Sequence, residues 1–268
     1  MKNNTTVLIT GCSTGIGYET ALYLKKQGYR VIATARETAD VKHLHDIGLE
    51  AYYLDVRDFQ SIKDVINKLD KIDVLFNNAG YGQPGAIEDI SYEALKEQFE
   101  TNVFGLHEVT RQVIPIMRKQ GYGKIIQHSS VLGIISLKFR GAYNASKYAI
   151  EGLTDTLRLE LSGSGISVSL LNTGPVISKF RDNAKKMTLK NVDIENSIYK
   201  DQYKKSLESS KSDVPFTLQS IDVAYVVEKI ILSEKPKPRY YITKATYLLG
   251  FLKRILSTSM LDKVLQKV

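Results

Sequence analysis

The sequence predicts an α/β fold of the Rossmann type, a doubly wound parallel sheet of about seven strands in a three-layer α/β/α arrangement. Short β-branched runs alternate along the chain with segments whose apolar residues recur three and four positions apart. The runs are apolar throughout, which indicates strands that are buried on both faces and therefore parallel. In such a sheet the ligand site is expected at the carboxyl ends of the strands.

Seven runs have the composition of strands and are separated by segments with helical periodicity. They are Thr6–Thr10, Arg30–Ala35, Glu50–Leu54, Asp73–Phe76, Lys124–Gln127, Ser167–Leu171 and Arg239–Ile242. Neither an internal repeat nor a second domain interrupts this order, so residues 1–245 are expected to form one domain.

Two segments break the alternation. Residues 179–215 are polar, lysine-rich and too long for an ordinary connection, which predicts a lid or loop over the substrate. Residues 246–268 place apolar residues at helical spacing with basic residues between them, which predicts one appended amphipathic basic helix. Three interpretations of this helix stay open: packing over the substrate mouth, contact with an anionic membrane, or contact with another subunit.

Composition and charge exclude several classes of protein. With 43% hydrophobic and 25% charged residues, the chain of 268 residues is typical of a globular protein rather than a disordered one. The net charge of +8 lies mostly in residues 235–268, which hold eight basic residues and one acid, so nucleic-acid binding by the body of the protein is not expected.

The single cysteine and the spacing of the four histidines predict neither a disulfide nor a metal site. Without a signal-peptide pattern or a bilayer-length apolar run, a cytoplasmic location is expected, with peripheral membrane contact through 246–268 as the alternative.

A glycine-rich loop follows the first predicted strand and reads TGCSTGIG from Thr10 to Gly17. Glycines allow a tight turn close to a pyrophosphate, and the N-terminus of the next helix offers free N–H groups to it. Arg36 ends the second strand, where an acidic residue would bind the ribose of NAD and an arginine accommodates the 2′-phosphate of NADP. These features predict NADP(H) binding; a simple turn and a solvated surface arginine are the alternatives.

A tyrosine and a lysine stand four residues apart at the start of a strong predicted helix, so Tyr143 and Lys147 share one face. Ser129 and Ser130 follow the preceding strand, at the ligand edge of the sheet. Reduction of a carbonyl needs a proton donor for the alkoxide that forms. A free tyrosine has a pKa near ~10, and a nearby ammonium lowers that pKa because it stabilises the phenolate.

These motifs, with NNAG at Asn77–Gly80, Asn102 in NVFG and TGPVIS at 173–178, resemble the short-chain dehydrogenase/reductase superfamily from about Thr6 to Ser178. The sequence ATAR ending at Arg36 is similar to its NADP-preferring branch of hydroxysteroid, retinol and aldehyde reductases. The resemblance implies the strand order 3-2-1-4-5-6-7. It also implies a homodimer or homotetramer formed through the helices that carry Asn102 and Tyr143.

The resemblance also implies roles for individual residues. Tyr143 would be the general acid/base, and Lys147 would lower its pKa and hold the nicotinamide ribose. Ser130, rather than Ser129, would hydrogen-bond the substrate carbonyl, and Asn102 would hold a water that links Lys147 to solvent. The cofactor contacts would be Gly11, Ser13, Gly15, Ile16, Gly17, Arg36, Asp55, Val56, Asn78, Ala79, Gly80, Tyr143, Lys147, Gly174, Val176 and Ser178. Thr173-Gly174 departs from the usual Pro-Gly of the family, and Ser178 stands where threonine is common.

The expected function is an NADP(H)-dependent oxidoreductase that transfers hydride between nicotinamide and a carbonyl or a primary or secondary alcohol. Reduction of an apolar aldehyde or ketone, either lipid-derived or of steroid or retinoid type, fits the tail and the resemblance best. The second enzymatic hypothesis is a 3-oxoacyl thioester reductase whose basic residues bind an acidic carrier. A non-catalytic NADP(H)-binding sensor or scaffold is the alternative of another class, and the intact set Ser130, Tyr143, Lys147 and Asn102 argues against it.

Overall fold

A central sheet of seven parallel strands forms the middle layer of the protein in a computed structural model that describes residues 4–208 and 216–267. Its strands are β1 Thr6–Ile9, β2 Arg30–Ala35, β3 Glu50–Tyr53, β4 Val74–Asn77, β5 Gly123–Ser130, β6 Ile166–Thr173 and β9 Arg239–Tyr241. Two short strands, β7 Val176–Ile177 and β8 Leu218–Gln219, pair separately. The order β3-β2-β1-β4-β5-β6-β9 confirms the predicted fold class and the strand order that the resemblance implies.

Eleven α-helices occur among the described residues. They are α1 Gly15–Lys26, α2 Thr38–Asp46, α3 Phe59–Ile66, α4 Tyr92–Phe99, α5 Leu106–Gln120, α6 Gly141–Glu160, α7 Phe180–Asn191, α8 Lys200–Glu208, α9 Ser220–Leu232, α10 Lys244–Ile255 and α11 Thr258–Leu265. Helices α1, α2 and α9 supply side chains to the core on one face of the sheet, and α3, α5 and α6 supply them on the other.

Neighbouring residues of β4 show why the strand sequences are apolar throughout. Phe76 packs in the core under α1 and α9, whereas Leu75 packs in the core under α3 and α5, and both are fully buried. Successive side chains of a strand point to opposite faces, so a strand covered by helices on both sides has no polar face.

The described part of the segment 179–215 is more ordered than the polar composition indicated. It folds into α7 and α8, which are tied to the domain by contacts such as the hydrogen bond from Asn191 Nδ2 to Gln83 Oε1 at 2.8 Å. Residues 209–215 of the predicted lid lie outside the described residues.

The prediction of one helix over 246–268 is wrong in detail. Helix α10 begins earlier, at Lys244, where the Thr243 hydroxyl caps it, and Leu256 and Ser257 have extended backbones that separate it from α11. The bend carries Leu261, which is 4% exposed, into an apolar cluster with the residues after β5. Packing on both sides of the bend therefore outweighs continuation of a single helix. Across the described ranges, no helix has both the length and the apolar character needed to cross a bilayer.

Candidate active site

Tyr143, Lys147 and Ser130 meet at the carboxyl end of the sheet. Ser130 is the last residue of β5, and Tyr143 and Lys147 lie on the first two turns of α6. The Lys147 ammonium is 5.6 Å from the centre of the Tyr143 ring and donates a hydrogen bond to the backbone oxygen of His128 at 2.7 Å. The helical spacing of the two side chains thus produces the shared face that the sequence indicated.

The two adjacent serines of β5 have different partners because successive side chains point to opposite faces. The Ser130 hydroxyl accepts a hydrogen bond from the Leu132 N–H at 3.1 Å and lies within hydrogen-bonding reach of the Tyr143 phenol. The Ser129 hydroxyl instead donates to Glu151 Oε1 at 2.5 Å. The structure therefore brings Ser130 to the tyrosine and commits Ser129 to a buried carboxylate.

Burial has the largest effect on the pKa values of Tyr143 and Lys147. It raises the pKa of Tyr143 to about 12, against a smaller opposing effect of Ser130. It lowers the pKa of Lys147 to about 8, and the Glu151 carboxylate opposes that shift. The sequence argument expected the ammonium to lower the pKa of Tyr143, but in the structure burial raises that pKa and only Ser130 opposes the shift. The Lys147 ammonium is turned toward the His128 carbonyl instead. At neutral pH the phenol is thus protonated and can act as a proton donor.

Asn102 lies in a π-helical turn, Glu100–Gly105, between α4 and α5. Its side chain accepts from the Tyr81 N–H at 3.1 Å and donates to the Tyr81 oxygen at 3.0 Å and to the Ser146 hydroxyl at 3.1 Å. The amide thus anchors the loop after β4 to α6. The side chain is engaged in these contacts, and the water that the resemblance implies between Asn102 and Lys147 stays a prediction.

The glycine-rich loop forms a close-fitting cradle. A Cβ added to Gly17 would lie 2.3 Å from the Gly11 oxygen and 2.4 Å from Asn78 Nδ2, and one added to Gly11 would lie 2.8 Å from the Ala79 Cα. Gly11 also has a φ of 72°, which other residues rarely adopt. Only glycines allow this loop to fold so tightly against Asn78 and Ala79.

The N-terminus of α1 is open to an anion. Its N-cap residue, Thr14, makes no side-chain capping hydrogen bond, and the first turn holds no acidic residue. The N–H groups of that turn, next to Ser13 and formed by Gly15, Ile16 and Gly17, therefore keep their capacity to bind a pyrophosphate. The cradle and this helix end together fit a dinucleotide.

The residues of NNAG have mainly supporting contacts. Asn78 Nδ2 donates to the backbone oxygens of Thr10 and Gly11, both at 3.0 Å, and Asn78 Oδ1 contacts His128 Nδ1 at 3.1 Å. A Cβ added to Gly80 would lie 3.1 Å from Asn102 Oδ1. Asn78 thus holds the glycine loop in place with its side chain, a role that the sequence reasoning did not identify.

At the other end of the cradle, Arg36 follows β2 with 59% of its side chain exposed and with Glu37 at 3.7 Å. Asp55 is held by Arg57 at 2.7 Å. Burial by itself raises the pKa of Asp55, but the Arg57 contacts more than offset this and keep the pKa below its usual range. Val56 is buried and packs against the π turn, where a Cβ on Gly105 would lie 2.7 Å from the Val56 Cβ.

The segment after β6 crosses over the glycine loop and the tyrosine. A Cβ added to Gly15 would lie 3.2 Å from the Ser178 Cβ, which places Ser178 directly over the loop. Val176, in β7, packs against the core under α1. Gly174 instead meets the tail, because a Cβ there would lie 2.0 Å from the Thr243 hydroxyl.

Two features near Tyr143 were missed by the sequence reasoning. The Phe180 ring packs against the Tyr143 ring, and an apolar cluster of Val131, Leu132, Ile135 and Leu261 also includes Tyr143 at its edge. Phe180 stands at the start of the polar segment 179–215, which has no clear periodicity, so no sequence signal marks it. The tail pattern was visible, but not the surface it packs on. No group of three or more potential metal ligands occurs within residues 4–208 and 216–267.

Comparisons with known proteins agree with this geometry. The model of the short chain dehydrogenase family matches residues 5–189. The chain is 40% identical over 265 residues to the uncharacterized oxidoreductase YbbO of Escherichia coli strain K12, covering 97% of this chain and 93% of that protein. It is 34% identical over 251 residues to retinol dehydrogenase 8 of Bos taurus, covering 87% and 80% of the two chains.

Among solved structures, the closed form of a serine dehydrogenase complexed with NADP+ aligns with a TM-score of 0.78 and 26% identity, over 90% of this chain and 96% of that one. The family model, the two relatives over most of their lengths and the parallel sheet with its glycine loop all lead to one assignment. The chain belongs to the short-chain dehydrogenase/reductase family of oxidoreductases.

Proposed function

We propose that the protein is an NADP(H)-dependent reductase of apolar aldehydes or ketones. The observation that carries this proposal is the position of the Tyr143 phenol, between the Lys147 ammonium and the Ser130 hydroxyl on one side and an apolar cluster on the other. A protonated donor that borders on an apolar surface suits a carbonyl compound with an apolar body.

Each side chain has a distinct part in the proposed reaction. Ser130 donates a hydrogen bond to the substrate carbonyl, and Tyr143 gives its proton to the oxygen as it becomes an alkoxide. Lys147 holds the nicotinamide ribose and lowers the pKa of Tyr143 once its ammonium faces the phenol. Asn102 holds the water through which Lys147 exchanges protons with solvent. The reduced nicotinamide, when bound, supplies the hydride.

The preference for NADP(H) over NAD(H) is supported by charge. Arg36 is exposed at the carboxyl end of β2, and no acid stands among Thr34, Ala35 and Arg36 to bind a ribose 2′-hydroxyl. A serine dehydrogenase of the same fold is complexed with NADP+. The proposed remaining contacts are the pyrophosphate at Gly11, Ser13, Gly15, Ile16 and Gly17, the adenine at Asp55 and Val56, the ribose at Asn78, Ala79 and Gly80, and the nicotinamide at Gly174, Val176 and Ser178.

An apolar substrate is supported by the residues that surround the tyrosine. Phe180 covers one side of Tyr143, and the turn after Ser130 supplies Val131 and Leu132. A relative that shares 34% identity is named a retinol dehydrogenase. We therefore propose a lipid-derived, steroid-like or retinoid-like carbonyl as the substrate, with α7 and α8 acting as the lid.

The test is NADPH oxidation, with NADH in parallel, against medium-chain aldehydes, a ketosteroid, retinal and a 3-oxoacyl thioester. Turnover with NADPH on the apolar carbonyls that is lost in Tyr143→Phe supports the proposal. Preference for the thioester would identify an acyl reductase instead. Tight NADPH binding without turnover on any carbonyl would favour a cofactor-binding sensor.

We also propose that the tail contacts an anionic membrane with the face that does not pack on the domain. Tyr247, Leu248, Phe251 and Ile255 lie on one side of α10 and are 54–61% exposed, with Lys244 and Arg254 near them. Co-sedimentation with phosphatidylserine vesicles at low salt, weakened by Phe251→Ser, is the expected result. Absence of binding at low salt would exclude this contact.

A homodimer or homotetramer through the helices that carry Asn102 and Tyr143 is proposed as well. Exposed apolar side chains on these segments support it: Phe104 in the π turn, and Leu153 and Leu159 on α6, are 53%, 43% and 72% exposed. Light scattering coupled to gel filtration measures the assembly, and Leu159→Asp should reduce it. A monomeric wild-type protein would contradict the proposal.

A further inference from the structure

A buried polar cluster lies beneath the candidate site and is centred on Glu151. Its Oε1 accepts hydrogen bonds from the Ser129 hydroxyl at 2.5 Å and from Asn172 Nδ2 at 2.6 Å, and its Oε2 accepts from Arg239 Nε at 3.2 Å. Ser129, Asn172 and Arg239 belong to β5, β6 and β9. One carboxylate therefore joins three strands of the sheet to helix α6.

Glu151 also follows Lys147 by one helical turn, and both residues are less than 10% exposed. In the described parts of the chain, Lys147 has no carboxylate within 4.0 Å, since its ammonium is turned to the His128 oxygen. A buried ammonium without a nearby negative charge is strongly disfavoured. The carboxylate one turn away is therefore the charge that can balance it.

The other charged or titratable groups around the cluster lie on α6 and β5. Helix α6 adds Asp155, which pairs with Arg239 at 2.5 Å and with Arg158 at 2.6 Å, and β5 adds His128. The turn Val131–Gly133 closes the cluster without a charge, because a Cβ on Gly133 would lie 2.7 Å from the Ser129 hydroxyl. Arg239 neutralises part of the Glu151 charge, and Asp155 shares that arginine.

We infer that Glu151 is a positioning residue for Lys147: its carboxylate fixes Ser129 and Asn172 behind the site and supplies the buried negative charge that balances the ammonium. The importance of this inference for catalysis rests on the proposed function. The effect of the Glu151 charge on the Lys147 ammonium does not depend on that function. Burial lowers the pKa of Lys147 to about 8, and the Glu151 carboxylate acts in the opposite direction. Without Glu151 the lysine would lose its proton at a lower pH.

The first test follows the proton on Lys147 in the protein without cofactor or substrate. With ¹³C-labelled lysine, the Cε resonance of Lys147 is assigned by its loss in Lys147→Arg and titrated by NMR. Glu151→Gln, which keeps the shape of the side chain, should lower the titration midpoint by about 1 pH unit. Arg239→Gln should raise it, because the Glu151 charge is then uncompensated. Asp155→Asn removes the same unit charge one turn farther from Lys147 and should shift the midpoint much less.

The second test is the pH profile of kcat/KM for NADPH-dependent reduction. Reduction requires the Lys147 ammonium and the protonated phenol, so the rate falls as pH rises, and this fall should move to lower pH in Glu151→Gln and to higher pH in Arg239→Gln. General destabilisation cannot produce shifts of opposite sign.

The outcomes distinguish a failure of this inference from a failure of the proposed function. Equal Lys147 midpoints in the wild type and Glu151→Gln overturn it, whatever the change in thermal stability. If Glu151→Gln does not fold, Arg239→Gln decides: a higher midpoint supports the inference and an unchanged one overturns it. A wild type that reduces no carbonyl, with midpoints that shift as expected, would refute the proposed function and leave the link between Glu151 and Lys147 intact.

Discussion

The ring of Phe180 packs against the ring of Tyr143 with their centroids 5.5 Å apart and their planes at 62°. Phe180 is the first residue of α7 and also lies over Gly82, where an added Cβ would be 2.9 Å from its Cζ. The segment 179–215 therefore begins directly on Tyr143, the proposed proton donor. An aromatic wall at this point would contact the part of a substrate that lies next to its carbonyl.

Replacing this wall should affect apolar substrates most. Phe180→Ala removes aromatic contacts of a size that lowers kcat/KM about 3- to 10-fold for retinal or a medium-chain aldehyde. Phe180→Tyr keeps the ring and should retain most of the activity. Phe59→Ala, at a 62% exposed phenylalanine on α3, is the distant control. Unchanged kinetics in Phe180→Ala would show that the substrate does not touch this ring.

Cofactor preference should depend on Arg36. Loss of a charge-assisted hydrogen bond to the 2′-phosphate in Arg36→Ala is expected to raise the KM for NADPH about 10- to 100-fold. The KM for NADH should stay the same, since NADH lacks that phosphate. Arg118→Ala, at an exposed arginine in the last turn of α5, tests for a general effect of charge. Equal losses with the two cofactors would contradict the assignment of Arg36.

The sequence predicted most reliably those features that depend on local patterns of residues. Tyr143 and Lys147 meet because they are four residues apart on one helix. The spacing of the glycines likewise marks the loop, in which Gly11 and Gly17 lie close to Ala79 and Asn78. Strand order followed from the family resemblance, and the buried runs gave its seven members. Such features depend on spacing along the chain, which a sequence displays directly.

Contacts between distant segments escaped prediction. Glu151 and Arg239 are 88 residues apart, and each alone is typical of a solvated surface residue. The bend at Ser257 is equally hidden, because the apolar spacing of the tail fits one helix as well as two. Only the surface on which the tail packs, around Val131 and Leu132, decides between them.

That packing makes a prediction for the tail. Leu261 is 4% exposed in the cluster beside Tyr143, whereas its neighbour Met260 is 54% exposed. Leu261→Ala should lower the free energy of unfolding by about 2–5 kcal/mol, and Met260→Ala should change it by less than about 0.5 kcal/mol. Chemical denaturation measures both. Similar effects of the two substitutions would mean that α11 does not pack on the domain as described.

Stability should also fall in mildly acidic solution because of His128. Burial, with a smaller contribution from the Lys147 ammonium, lowers the pKa of His128 to about 3 from its usual 6.5. Between these values the unfolded chain binds a proton that the folded protein excludes, so the folded state loses stability as pH falls. From pH 7 to pH 5 the loss should be about 2 kcal/mol for this one group.

Urea unfolding at pH 5, 6 and 7 measures this dependence. His128→Gln should flatten it over that range, whatever its effect on stability at pH 7, because glutamine has no proton to gain. Carboxylates that arginines hold at a lowered pKa, such as Glu50 and Asp55, lose their contribution mainly at more acidic pH and should leave the comparison intact. The same dependence of the free energy of unfolding on pH in the variant and the wild type would mean that His128 is not kept neutral in the folded protein. Its contacts with Asn78 and Thr173, both at 3.1 Å, would then not depend on a neutral imidazole.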